Sequence, residues 1–68
     1  MTMHTTLPDI YVFYTNGLVA LQGASQAAIN LLRPLYPLTN GTTALVTPEA
    51  AEEAFGRIDA AGLRTLTL

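Results

Sequence analysis

YVFYTNGLVALQ, residues Tyr11 to Gln22, runs without a single charge and carries an Asn-Gly pair at its centre. The aromatic and β-branched residues before the pair favour a strand. Asn16 and Gly17 supply the two positive-φ residues of a type I′ turn, so the stretch reads as a hairpin with a two-residue loop. That turn fixes the register: Thr15 opposes Leu18, Tyr14 opposes Val19, Phe13 opposes Ala20, Val12 opposes Leu21 and Tyr11 opposes Gln22. Opposed residues share a face. One face then holds Ile10, Val12, Tyr14, Val19 and Leu21, a set suited to packing against helices. The other holds Tyr11, Phe13, Thr15, Leu18, Ala20 and Gln22. A hairpin with one wet face alternates apolar with polar; this one is apolar on both.

Working outward, Gly23 ends the second strand and Ser25 is placed to cap a helix with its hydroxyl. Ala28, Leu31, Leu32 and Leu35 recur at helical spacing, and Pro34 stops the helix near Leu32 or Arg33. RPLYPL, residues 33–38, reads as a connector. TTALVT, residues 42–47, is a short strand. Thr47 caps a second helix with Pro48 at its first position. Ala51, Ala54, Phe55, Ile58 and Ala61 form its apolar stripe, Glu53 and Arg57 are spaced to pair, and Gly62 with Leu63 fits a Schellman ending. LRTLTL, residues 63–68, is a final strand. The expected fold class is therefore α+β: a small mixed β-sheet in ββαβαβ order, with an N-terminal hairpin and two helices packed on one face. Each helix is expected to be a right-handed crossover, which would make the last three strands parallel. TNGLVAL at 15–21 and TNGTTAL at 39–45 match at five of seven positions. Chance in a chain rich in Thr, Ala and Leu explains the echo better than duplication does, and Pro34 and Pro37 weaken the second copy as a hairpin.

The 68-residue length allows one domain, residues 1–68, with residues 1–8 as an N-terminal tail. Domains this small are commonly reinforced by disulfides, metals or oligomerisation. The chain has no cysteine and one histidine, His4, which excludes disulfides and thiolate or His-rich metal sites. Charged residues make up 12% of the sequence, against about 25% in an ordinary soluble domain. Mean hydropathy is +0.35. Such a surface is short of solvating groups, so we expect another chain to cover part of it. A net charge of −2 and the lack of lysine argue against nucleic acid as a partner. The uncharged run from Ile10 to Leu32 is interrupted by Asn, Gln, Ser and Gly, which argues against a membrane span. The first residues, MTMHTTLPD, lack the basic and apolar regions of a signal peptide, and the expected compartment is the cytoplasm.

No constellation in the sequence carries catalytic chemistry. His4 has no partner acid and nucleophile in view. Glu49, Glu52 and Glu53 read as a solvated first turn that complements the helix dipole. LQGASQ, residues 21–26, runs through glycine into a helix start, the geometry of an anion site, but it lacks both dinucleotide-loop glycine spacing and a P-loop lysine. We therefore expect no catalytic, cofactor or metal residues. No resemblance to a known family emerges.

What remains is the surplus apolar face. Burying two of its large side chains contributes ~3–5 kcal/mol. The expected function is a non-catalytic protein–protein interaction module: a homodimer that also binds a larger, unidentified protein. It would serve as a subunit, adaptor or small inhibitor of the kind that phages and other mobile elements encode. The interface residues are Tyr11, Phe13, Leu18 and Ala20, with Tyr36 and Arg64 as secondary partner contacts. One alternative is a small-ligand sensor with an inter-subunit apolar pocket lined by Tyr11, Tyr14 or Tyr36. Another is an enzyme built on the Gly23–Ser25 junction. A structural alternative has MTMHTT or RPLYPL folding over the second face.

Overall fold

A computed structural model describes residues 7–68; the tail's residues 1–6, with His4, lie outside the described residues. The elements are β1 (Ile10–Thr15), β2 (Leu18–Gly23), α1 (Gln26–Leu32), β3 (Thr43–Val46), α2 (Pro48–Ala60) and β4 (Thr65–Thr67). They form a four-stranded mixed sheet of order β3-β2-β1-β4. Asn16 and Gly17 adopt φ of 51° and 77°, and the β1–β2 register is the one the turn dictates, from Thr15 opposite Leu18 to Tyr11 opposite Gln22.

One connection corrects the expected topology. β3 runs antiparallel beside β2, with Val19 opposite Val46 and Gln22 opposite Thr43. The first helix is therefore a return within an antiparallel pair, not a parallel crossover. The reason is local. The chain leaves α1 through bonds from the Leu35 and Tyr36 amides to the Leu32 carbonyl, then reverses at Asn40-Gly41, with φ of 55° and 74°. Both TNG triplets thus turn the chain, but the strand before the second is reduced to one bridge, Thr39 to Thr43. α2 then carries the chain past β2 and β1 to β4, which pairs parallel to β1.

Both helices are capped as their sequences require. The Ser25 hydroxyl accepts from the Ala28 amide and the Thr47 hydroxyl from the Ala50 amide, each at 3.2 Å. α2 ends in a full Schellman motif: the Leu63 amide donates to the Ile58 carbonyl at 3.1 Å and the Gly62 amide to Asp59 at 3.0 Å. Arg57 pairs with Glu53 at 3.2 Å on the exposed side of α2.

The core lies between the sheet and the helices. Ile10, Val12, Val19, Leu21, Ala44 and Val46 come from the sheet, and Ala28, Leu32, Ala51, Ala54 and Ile58 from the helices. Gly23 allows α1 to approach: a Cβ there would sit 2.9 Å from Ile29 Cγ1 and 3.3 Å from the Thr42 carbonyl oxygen. Tyr14 belongs to the helix side by parity but lies beside the turn, and it is 66% exposed rather than packed under a helix.

Candidate functional site: the helix-free face of the sheet

The pleat sends alternate residues of each strand to the side away from the helices. From β1 and β2 these are Tyr11, Phe13, Thr15, Leu18, Ala20 and Gln22. The strand order adds two more apolar groups. Leu45 on β3 stands opposite Ala20, and Leu66 on β4 stands beside Tyr11. One row across the sheet is therefore Leu45, Ala20, Phe13; the next is Thr43, Gln22, Tyr11, Leu66. No residue in either row is charged.

Burial shows how the face is built. Ala20 is 0% exposed although it lies outside the helix-side core, because the larger side chains of its neighbours Phe13 and Leu45 flank it. Tyr11, Phe13 and Leu18 are half-buried. Leu45 is 49% and Leu66 48% exposed. A small residue is thus enclosed between larger ones, and the leucines at the margins stay wet.

The remaining expected site residues are elsewhere. Tyr36 is half-buried and packs against the helix-side core, as does Leu38. The RPLYPL connector therefore covers the helix side, not the opposite face. MTMHTT, the other segment considered as a cover, lies outside the described residues. Arg64 is exposed, and its backbone is committed to the start of β1. Its amide donates to Asp9 Oδ2 at 2.9 Å, and its carbonyl accepts from the Asp9 and Ile10 amides. The Arg64 amide first, then the neighbouring Ser25 hydroxyl, lower the Asp9 carboxyl below its ordinary value; they outweigh desolvation, and the Arg64 charge adds the least.

At the Gly23–Ser25 junction, the Gly23 amide donates to the Thr42 carbonyl and the Ala24 amide to the Asp9 carbonyl. The Ser25 hydroxyl accepts the capping bond from the Ala28 amide and lies beside the Asp9 carboxyl. These groups hold the sheet margin together and do not converge on a common point for an anion.

Two shallow grooves flank α2. One, of about 420 Å³, is lined by Tyr14, Val19, Pro48, Glu49, Ala51, Glu52 and Phe55. The second, of about 240 Å³, lies between α2 and β4 and is lined by Phe55, Ile58, Asp59, Leu63 and Thr65. Among the described residues, no three His, Asp or Glu side chains converge to hold a metal ion, and no helix is long and apolar enough to cross a membrane.

The chain matches no protein-family model, and no curated protein or solved structure shows significant similarity to it.

Sequence reasoning found the hairpin's share of the face and missed Leu45 and Leu66. The signal was present in ALV and TLT, where a single leucine is flanked by residues of opposite parity. Assigning them to this face required knowing which strands flank the hairpin.

Proposed function

We propose that this chain is a non-catalytic protein–protein interaction module that self-associates through the helix-free face of its sheet and engages a larger protein. The observation that carries the reading is the uncharged surface formed by Tyr11, Phe13 and Leu18 together with the exposed leucines Leu45 and Leu66. Strands of six, six, four and three residues, spaced ~4.8 Å apart, give roughly 300 Å² in projection, and more with side-chain relief. Two such faces total about 600 Å² before that relief, the size of a weak or transient contact. A two-fold pair of identical uncharged faces is self-complementary without ion pairing. Its self-association is weak and concentration-dependent.

Small size and an apolar, uncharged face support a subunit, adaptor or small inhibitor. A cytoplasmic setting and an origin in a phage or other mobile element belong to the same proposal, on the sequence features given above. Analytical ultracentrifugation of the wild type and of Phe13→Glu tests the reading. A sedimentation coefficient that rises with wild-type concentration and stays monomeric in Phe13→Glu supports it. A monomeric wild type at millimolar concentration, or a variant that still associates, defeats it.

The sensor alternative draws on the larger groove, which Tyr14 lines; Tyr11 and Tyr36 do not. A rise in melting temperature with a small metabolite that Tyr14→Ala removes would favour it.

A further inference from the structure

The two edges of the sheet are not equivalent. On β3, Thr43 already exchanges hydrogen bonds with Thr39, at 2.7 Å and 3.1 Å, so the connector occupies one end of that edge and leaves only the Leu45 backbone facing outward. On β4, the Arg64 carbonyl and the Leu68 amide bond to β1. With Ile10 beside Thr65 and Val12 beside Thr67, parallel geometry turns the backbone groups of Thr65 and Thr67 away from β1. No described residue pairs with them, and all of β4 is exposed. A strand with a free ladder edge is a template for another strand.

Beside that edge, on the helix side, lies the groove of about 240 Å³ floored by Phe55, Ile58 and Leu63 and rimmed by the Asp59 carboxylate. Asp59 forms no salt bridge among the described residues. It also sits in the last turn of α2, where a carboxylate meets the negative end of the helix dipole. Departures from such local rules are expected at functional or strained sites.

We propose that the β4 edge binds an extended segment of the larger partner by strand addition, and that a lysine or arginine of that segment fills the α2–β4 groove. Backbone bonds to Thr65 and Thr67 supply the docking, and alternate side chains supply the selectivity. A long cationic side chain matches the groove's two characters: its methylene stem lies on Phe55, Ile58 and Leu63, and its charge meets Asp59. The inference rests on the interaction-module reading and names the surface and the chemistry by which that module would take its partner.

The probe is the capped hexapeptide Thr-Val-Thr-Lys-Thr-Val, titrated into the full chain and followed by amide NMR shifts and hydrogen exchange. The expected result is shifts and slowed exchange at Thr65 and Thr67, with side-chain shifts at Phe55 and Leu63. The same peptide with Glu in place of Lys should bind about three- to fivefold more weakly, and Asp59→Asn should erase that preference. Thr67→Pro removes an amide that β1 does not use and should abolish binding of both peptides. If Thr67→Pro disturbs the fold, Asp59→Asn, a substitution on an exposed helix position, decides the selectivity. Absence of shifts at Thr65 and Thr67, shifts confined to the Phe13 and Leu45 face, or equal binding of the two peptides overturns the proposal. Sedimentation of the unliganded chain separates the two readings. Self-association through Phe13 without peptide binding removes only the edge inference, whereas a monomer that binds the lysine peptide at β4 removes only the dimer.

Discussion

The Asp9 carboxylate accepts a 2.9 Å hydrogen bond from the Arg64 amide, joining residues 55 positions apart in the chain. The Asp9 carbonyl meanwhile accepts from the Ala24 amide at 2.7 Å. One residue thus ties the start of β1 to the start of β4 and to the approach to α1.

The carboxyl is held below its ordinary pKa by the Arg64 amide, then by the Ser25 hydroxyl and the Arg64 charge. A group whose folded pKa is depressed contributes stability above its unfolded pKa, about 3.9, and loses it as pH falls through the folded value. Asp9→Asn should therefore melt below the wild type at pH 7, and the gap should close at lower pH, below the ordinary carboxylate range. Thermal melts by circular dichroism across pH 2 to 7 check this; a gap that is constant with pH would remove the charge from the account.

Gly23→Ala should cost about 1–3 kcal/mol, the usual penalty for overpacking. The new Cβ meets Ile29 Cγ1 at 2.9 Å and the Thr42 carbonyl at 3.3 Å. The first clash is with a side chain and the second with backbone, so Ile29→Val in the Gly23→Ala background should recover part of the loss. Urea denaturation of the single and double variants measures the coupling.

Ile58→Ala removes a fully buried side chain at the centre of the α2 face, at a cost of about 2–5 kcal/mol. A chain of this length holds roughly 3–10 kcal/mol in all. The variant should lose a large fraction of the stability, read as a much lower urea midpoint with an unchanged slope.

Gly62→Ala tests the helix ending. Gly62 has φ of 73° within the Schellman motif, and an L side chain there costs roughly 1–2 kcal/mol. By contrast, Gly56→Ala lies mid-helix with open space around the added Cβ and should stabilise by about 0.5–1 kcal/mol. The two substitutions should shift the urea midpoint in opposite directions.

Leu45→Glu should suppress self-association at a cost to the monomer of about 1 kcal/mol, because Leu45 is half-exposed on an edge strand and flanks Ala20. Light scattering and urea denaturation on one preparation separate the two effects.

The parts of this molecule that were legible in the sequence are those fixed by short-range chemistry. Asn16-Gly17 dictates the β1–β2 register, Ser25 and Thr47 cap their helices, and Gly62-Leu63 closes α2. The direction of β3 was not legible. The turn at Asn40-Gly41 is marked in the sequence, but that it brings Thr43 back beside Gln22 is a tertiary outcome that the turn alone does not specify. For the same reason Leu45 and Leu66 could not be placed beside Ala20 and Tyr11, so only the hairpin's portion of the candidate site was visible. Alternation had assigned Tyr14 to the core side, but its position next to the turn leaves it on the wall of the groove along α2 rather than packed under the helix. Periodicity gives a side chain's direction and not whether anything covers it.

The strand order also has a kinetic meaning. The β1–β2 hairpin closes over two residues and can form within microseconds, but β4 reaches β1 only by bringing together residues as far apart as Asp9 and Arg64, 55 positions, and such long-range closure is slow. Between those events the outer side of β1 is a bare, uncharged strand, and Asp9 is the only acidic residue near it. The interval before β4 docks is thus the stage at which the molecule is most exposed to joining another unfinished copy, and solution conditions that shorten it should raise the yield of refolding.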